Sequence, residues 1–143
     1  MLHKTYDTQD CSAARALEIV GERWSLLILR DAMFRGYTRY SQFQKSLGVA
    51  TNVLATRLDD FVAAGLMERH GDGTPGEPVE YVLTRKGLEL KPVIVALTEW
   101  GDRWVRPGPV EFRSAADGLP VALELRGAGD GPLDVADVVA RRR

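Results

Sequence analysis

Residues 40–66, YSQFQKSLGVATNVLATRLDDFVAAGL, constrain the fold more than any other stretch, because they read as two helices joined by a tight turn at Gly48. In residues 41–47, Phe43 and Leu47 stand four apart on one face, the spacing of a buried helical stripe. Beyond Gly48, Thr51 or Asn52 can cap a second helix, over residues 51–64, in which Leu54, Leu58, Phe61 and Val62 fall on one side with Gly65. At about 100° per residue the opposite side carries Asn52, Thr56, Asp59 and Ala63, flanked by Ala55 and Arg57, with Thr51 at the start.

Two readings of that polar side are open. It can simply meet water, as in any amphipathic helix. It can also enter a DNA major groove, where small side chains let the backbone approach and hydrogen-bonding ones read base edges from the helix N-terminus. On the second reading the base-facing residues are Thr51, Asn52, Ala55 and Thr56.

Charge bears on the choice. The whole chain carries a net charge of −1, which argues against indiscriminate nucleic-acid binding. Between Glu22 and Leu58, however, Arg23, Arg30, Arg35, Arg39, Lys45 and Arg57 stand against Glu22 and Asp31, a local excess of four positive charges. Screening confines distant acids to a reach of about 8 Å at physiological salt, so the local value governs phosphate contact. A solvated basic face is the alternative.

The flanking segments complete a small helical domain. Asp10 or Ser12 can cap a helix running to Val20, with Ala13, Ala14, Leu17 and Val20 on one face and Gly21 ending it. Residues 22–34 are apolar around most of their circumference, as befits a central helix. After Gly65 the period changes. Val79, Tyr81 and Leu83 alternate with Glu80 and Val82, and the GDGTPGEP stretch before them is a loop, which predicts a β-hairpin with a long tip, a wing. Thr84 can then cap a long helix in which Leu90, Ile94, Leu97, Gly101 and Trp104 recur at three-and-four spacing, with Pro92 bending it. An exposed stripe containing Trp100 and Trp104 needs a partner, and a second copy of the chain is the simplest. Past Val105 the sequence is richer in Gly and Pro, and Val110 with Phe112, then Val121, Leu123 and Leu125, alternate as two short strands would. The expected division is therefore 1–105 and a small β appendage, 106–143.

The class is mainly α with a small β-wing (α+β). One cysteine, Cys11, excludes an intramolecular disulfide and fits a reducing cytoplasm. The apolar runs are too short to span a bilayer and the N-terminus lacks a signal-peptide core, so a cytoplasmic protein with no membrane partner is expected. An enzyme would need a constellation that two histidines, His3 and His70, and one cysteine do not supply. No cofactor or metal is expected.

Several motifs, in order, closely resemble the HxlR-type winged helix-turn-helix regulators of bacteria. They are the cysteine opening at Cys11 with Ala16 and Leu17, Gly21 and Trp24 with the LLILR run, Tyr40 to Phe43, Leu54 with Leu58, Gly65 with Leu66, and the VEYVLTRKG segment ending at Gly87. The resemblance runs from Cys11 to about Trp104. It implies a homodimeric transcription regulator, a repressor, that binds double-stranded DNA; the sequence does not reveal any effector. The N- and C-terminal helices would form the dimer contact, with Leu17, Leu90, Ile94, Leu97, Trp100 and Trp104 in it. The two recognition helices would enter successive major grooves about 34 Å apart. Carried over, Thr51, Asn52, Ala55 and Thr56 face bases, while Arg39, Ser41, Gln42, Arg57 and Arg69 hold phosphates. A winged-helix dimer used only for protein contacts is the competing expectation.

Two features depart from the family pattern. Pro78 stands where many relatives have a basic residue, and the wing tip carries Asp72 and Glu77 without Lys or Arg, leaving Arg69 and His70 at the wing base as contacts. The tail lacks the paired cysteines of some long relatives. The resemblance also makes Cys11 a candidate redox sensor, since the first turn of a helix favours a thiolate; a small side chain packed near the dimer contact is the alternative.

Overall fold

The computed structural model describes residues 5–143, so His3 lies outside it. The elements are α1 (Ser12–Val20), α2 (Ser25–Phe34), α3 (Tyr40–Leu47), α4 (Thr51–Ala63), β1 (Met67–His70), β2 (Glu80–Leu83), α5 (Arg85–Leu88) and α6 (Lys91–Trp104), followed by one 3₁₀ turn, Val135–Asp137. This is the expected α+β winged helix-turn-helix. The described chain separates into two compact units, divided between Lys91 and Pro92.

In the first unit α2 lies at the centre. Ile28 and Leu29 are buried in one cluster with Phe43 of α3, Leu54, Leu58 and Phe61 of α4, and Met67 and Tyr81 of the wing strands. The periodicity of residues 40–66 thus does what its spacing dictates: each apolar stripe turns inward against α2. Gly48 closes α3 in the left-handed region, φ 61°, a conformation that costs a side chain but not glycine.

A buried polar network fixes α3 on α2. The Asp31 carboxylate has no exposed surface; it accepts from Ser46 Oγ at 2.6 Å and from Arg30 Nε at 2.9 Å, with Arg35 Nε 3.7 Å away. Burial of a carboxylate is tolerated because its oxygens are met by a hydroxyl and a guanidinium.

The wing is antiparallel, with Met67 opposite Leu83 and His70 opposite Glu80. Gly71, φ 78°, is required at its turn, since an added Cβ would lie 2.1 Å from the Pro78 carbonyl oxygen. The exit of the wing is tied to the end of α4. Thr84 Oγ donates to the Gly65 carbonyl at 2.6 Å and Lys86 Nζ to that of Ala64 at 2.6 Å, which satisfies carbonyls the helix leaves open.

Several local expectations are corrected. Helices α1, α2 and α4 start beside Cys11, Trp24 and Ala50, none of which caps through its side chain. Helix α2 begins three residues later than expected because Glu22 folds its carboxylate onto the Trp24 N–H at 3.0 Å and holds a turn there. On α1, Ala14 and Val20 are buried but Leu17 is exposed. The long helix after Thr84 is two helices. Thr84 caps the short α5 through Gly87 N–H at 3.2 Å, and Pro92 is the second residue of α6, where a missing N–H costs nothing, rather than a bend within it. The appendage forms no strands among the described residues. It has isolated bridges at Arg113–Pro120 and Arg126–Pro132, and a proline in each denies the ladder a donor.

Candidate nucleic-acid interface

Helix α4 presents its polar side to solvent along its length, with Asp59 and Ala63 exposed beyond the first turns. Thr51, Asn52 and Ala55 are exposed, while Leu54 and Leu58 on the far side are fully buried. The amide of Asn52 makes no side-chain hydrogen bond among the described residues, so its donor and its acceptor are both unspent. Thr56 is half-buried, and its hydroxyl donates to the Asn52 carbonyl at 2.8 Å, which leaves only acceptor capacity for a base. The Tyr40 hydroxyl donates to the Thr51 carbonyl at 2.8 Å and pins the start of α4 to the start of α3.

A shallow concavity of about 150 Å³ beside this turn is lined by Glu22, Asn52, Val53, Thr56 and Arg57. It brings Glu22 close to Asn52 and Thr56, a neighbour that sequence spacing does not reveal.

The residues assigned to phosphates divide. Ser41 is exposed at the start of α3. Gln42 spends its carbonyl oxygen on the Thr38 and Arg39 N–H groups, both at 3.0 Å, and keeps its NH₂ for an acceptor. Arg39 is exposed, with Glu80 Oε1 3.7 Å from its Nε, a loose pair that solvent screens. Arg69 is exposed on β1. Arg57 does not fit the expectation: it is 5% exposed, and its guanidinium pairs with Asp60 at 2.7 Å, so it faces inward and already holds an anion. Lys45, exposed on α3 with no side-chain partner among the described residues, is a cation that the assignment did not include. Its signal was available, since it stands two residues from Phe43 and so on the opposite side of the helix.

At the wing, His70 Nε2 lies 3.0 Å from Glu68 on the same strand, and the tip is acidic as expected. The Asp72 carboxylate accepts from the Thr74 hydroxyl at 2.6 Å and the Thr74 N–H at 2.9 Å, and these bonds hold its pKa below the ordinary carboxylate value.

Of the residues assigned to a dimer contact, Leu17 and Leu97 are exposed, and Trp100 and Trp104 are 61% and 67% exposed. Leu90 is half-buried against the core of the first unit. Ile94 is buried within the single chain and is not free to meet a partner, a correction to the spacing argument. Cys11 is exposed at the N-terminal flank of α1, open in the single chain both to oxidants and to a second copy.

Comparison with known proteins gives a consistent result. The family model for HxlR-like helix-turn-helix proteins matches residues 19–109. The chain is 40% identical over 119 residues to an uncharacterised HTH-type transcriptional regulator of Mycobacterium tuberculosis, Rv3095, covering 83% of this chain and 70% of that one. It resembles the crystal structure of PA1607 with a TM-score of 0.84 and 37% identity over 98% of this chain and 100% of that one. It also resembles the reduced form of the transcriptional regulator YodB from Bacillus subtilis, with a TM-score of 0.57 and 26% identity over 70% of this chain and 99% of that one.

Proposed function

The chain belongs to the HxlR-like helix-turn-helix family of transcription regulators, not enzymes, and from that membership we propose a sequence-specific, double-stranded-DNA-binding homodimer that represses transcription. The observation that carries the proposal is the split of α4, whose first turn and a half exposes Thr51, Asn52 and Ala55 while Leu54, Leu58 and Phe61 lock the opposite side into the core. A rigid helix with unspent hydrogen-bonding groups at its N-terminus is what base reading requires. Arg39, Ser41, Gln42, Lys45 and Arg69 supply the surrounding donors, and Arg57 is withdrawn from that set.

Leu17, Leu97, Trp100 and Trp104 are the exposed apolar side chains assigned to the second copy. Residues 1–105 form the DNA-binding and dimerisation part on this reading, supported by a family match that ends at 109, and 106–143 are the appendage. Repression follows from occupancy: a dimer seated across two successive grooves excludes other proteins from that stretch. The proposed place of action is the cytoplasm; no helix among the described residues is long and apolar enough to cross a membrane.

The test is a mobility shift with the DNA upstream of the protein's own gene against a scrambled duplex of equal length, at several salt concentrations. Preference for the upstream DNA, with affinity falling linearly in log–log form as salt rises, is the expected result. Equal binding to both duplexes would contradict sequence specificity, and binding to neither would favour a winged-helix module for protein contacts.

A further inference from the structure

We propose that residues 106–143 are an arm that completes an apolar core with the same segment and α6 of a second copy of the chain. The inference rests on the dimer proposed above and says what closes it. The compact unit that begins at Pro92 buries only two large apolar side chains, Ile94 and Val95, even with all described residues of the chain counted. A unit of that size with so little interior cannot hold its shape alone, and one that resembles half of a divided core is the mark of a permanent subunit contact. The missing partners are apolar, because the side chains left open are Leu97, Trp100 and Trp104 on α6 and Val121, Leu123 and Leu125 on the arm.

The arm is nevertheless given a definite course. Val121 N–H donates to the Phe112 carbonyl at 2.9 Å, Leu123 N–H to the Glu99 carboxylate of α6 at 3.0 Å, and Leu133 N–H to the Leu125 carbonyl at 2.6 Å. These bonds spend backbone donors inside the chain while the apolar side chains stay outside. The same arm is part of what matches PA1607, since that likeness extends over nearly the whole of both chains.

Charge points to a second copy as the occupant. Over residues 106–126, Arg106, Arg113 and Arg126 balance Glu111, Asp117 and Glu124, and two of the pairs close within the arm, Glu111 with Arg113 at 2.7 Å and Glu124 with Arg126 at 2.6 Å. Two such neutral surfaces approach each other without repulsion. Over the rest of the arm, 127–143, Arg141, Arg142 and Arg143 equal Asp130, Asp134 and Asp137 in number, so the arm as a whole offers nucleic acid no net positive charge. The arm also continues from α6, whose stripe is already assigned to the twin.

The experiment is sedimentation equilibrium of the full chain beside the double variant Leu123→Asp/Leu125→Asp and the single variant Trp100→Asp. Because both leucines are exposed in the single chain, the double variant should keep its helical circular dichroism. Its dimer dissociation constant should rise by at least about tenfold, as loss of a buried apolar anchor does. A wild-type dimer whose dissociation constant is unchanged in the arm variant, with Trp100→Asp alone weakening it, overturns the arm and leaves the dimer reading intact. A wild-type chain that is monomeric throughout removes the dimer itself. Hydrogen exchange gives the second measurement: amides of 106–143 should be protected above the dissociation constant and lose that protection below it. Equal protection at both concentrations overturns the inference.

Discussion

The hydroxyl of Tyr40, at the start of α3, donates at 2.8 Å to the main-chain carbonyl of Thr51, the first residue of α4. Since Ala50 offers no side-chain cap, this bond is a specific tie on the turn that is proposed to read bases. Tyr40→Phe removes one hydrogen bond and keeps the ring, so thermal unfolding should report a loss of about 0.5 to 1.5 kcal/mol. Mobility shifts should show a larger loss of affinity for the preferred site than for random DNA. An equal loss for both would mean that the tie does not orient the reading turn.

Lys45 and Arg57 should behave differently although both are cations of the two-helix unit. Lys45 is exposed and unpaired among the described residues, so Lys45→Ala should leave stability unchanged and reduce the slope of log affinity against log salt by about 1.8 for the dimer, about 0.9 for each copy. Arg57 is buried against Asp60, whose side chain stays 27% exposed, so Arg57→Ala should cost about 1 to 3 kcal/mol in urea unfolding and leave that slope unchanged in the folded fraction. The opposite pattern would return Arg57 to the phosphates.

The wing tip is held anionic. Thr74 depresses the Asp72 carboxyl, so any stability this group contributes is present above the ordinary carboxylate pKa and lost only as pH falls through the lower native value. Its charge therefore does not change near neutral pH, and repulsion from phosphate is constant there. Glu77→Lys should tighten binding to all sequences alike and steepen the salt dependence, as fluorescence anisotropy would show. No change would place the tip away from the DNA.

Cys11 is exposed and is the one thiol in the chain, so any disulfide it forms joins two copies or a small thiol. Diamide takes up the two electrons and two protons released when two such thiols join. Treatment should abolish the mobility shift, dithiothreitol should restore it, and Cys11→Ser should be indifferent to both. Unchanged binding of the treated wild-type chain would retire Cys11 as a sensor.

The two-helix unit was legible in the sequence because a stripe such as Leu54, Leu58 and Phe61 has only one way to face a core. The wing was legible because alternation at Tyr81 and Leu83 follows a run of turn residues. Arg57 was not, since it stands at the flank of the helical wheel and its direction is decided by Asp60, three residues on, a pairing that spacing permits but does not compel. Ile94 shares a repeat with Leu97 and Trp104, yet only the folded chain separates the side chain that is buried from those left open. Pro92 carried its signal plainly, but a proline bends a helix interior and suits a helix start equally well, and sequence alone does not choose. In the arm, alternation of Val121, Leu123 and Leu125 imitates a strand, while Pro120 and Pro132 remove the donors a ladder needs.

The central claim is that the Asn52 side of α4 reads base edges. It is tested most directly by measuring the affinity of the wild-type protein and of Asn52→Ala for every single-base-pair variant of a selected site. The wild type should lose about 1 to 3 kcal/mol at one base pair in each half-site, and Asn52→Ala should level that position while leaving the others as they were. A uniform loss across all positions, or an unaltered profile, would contradict it.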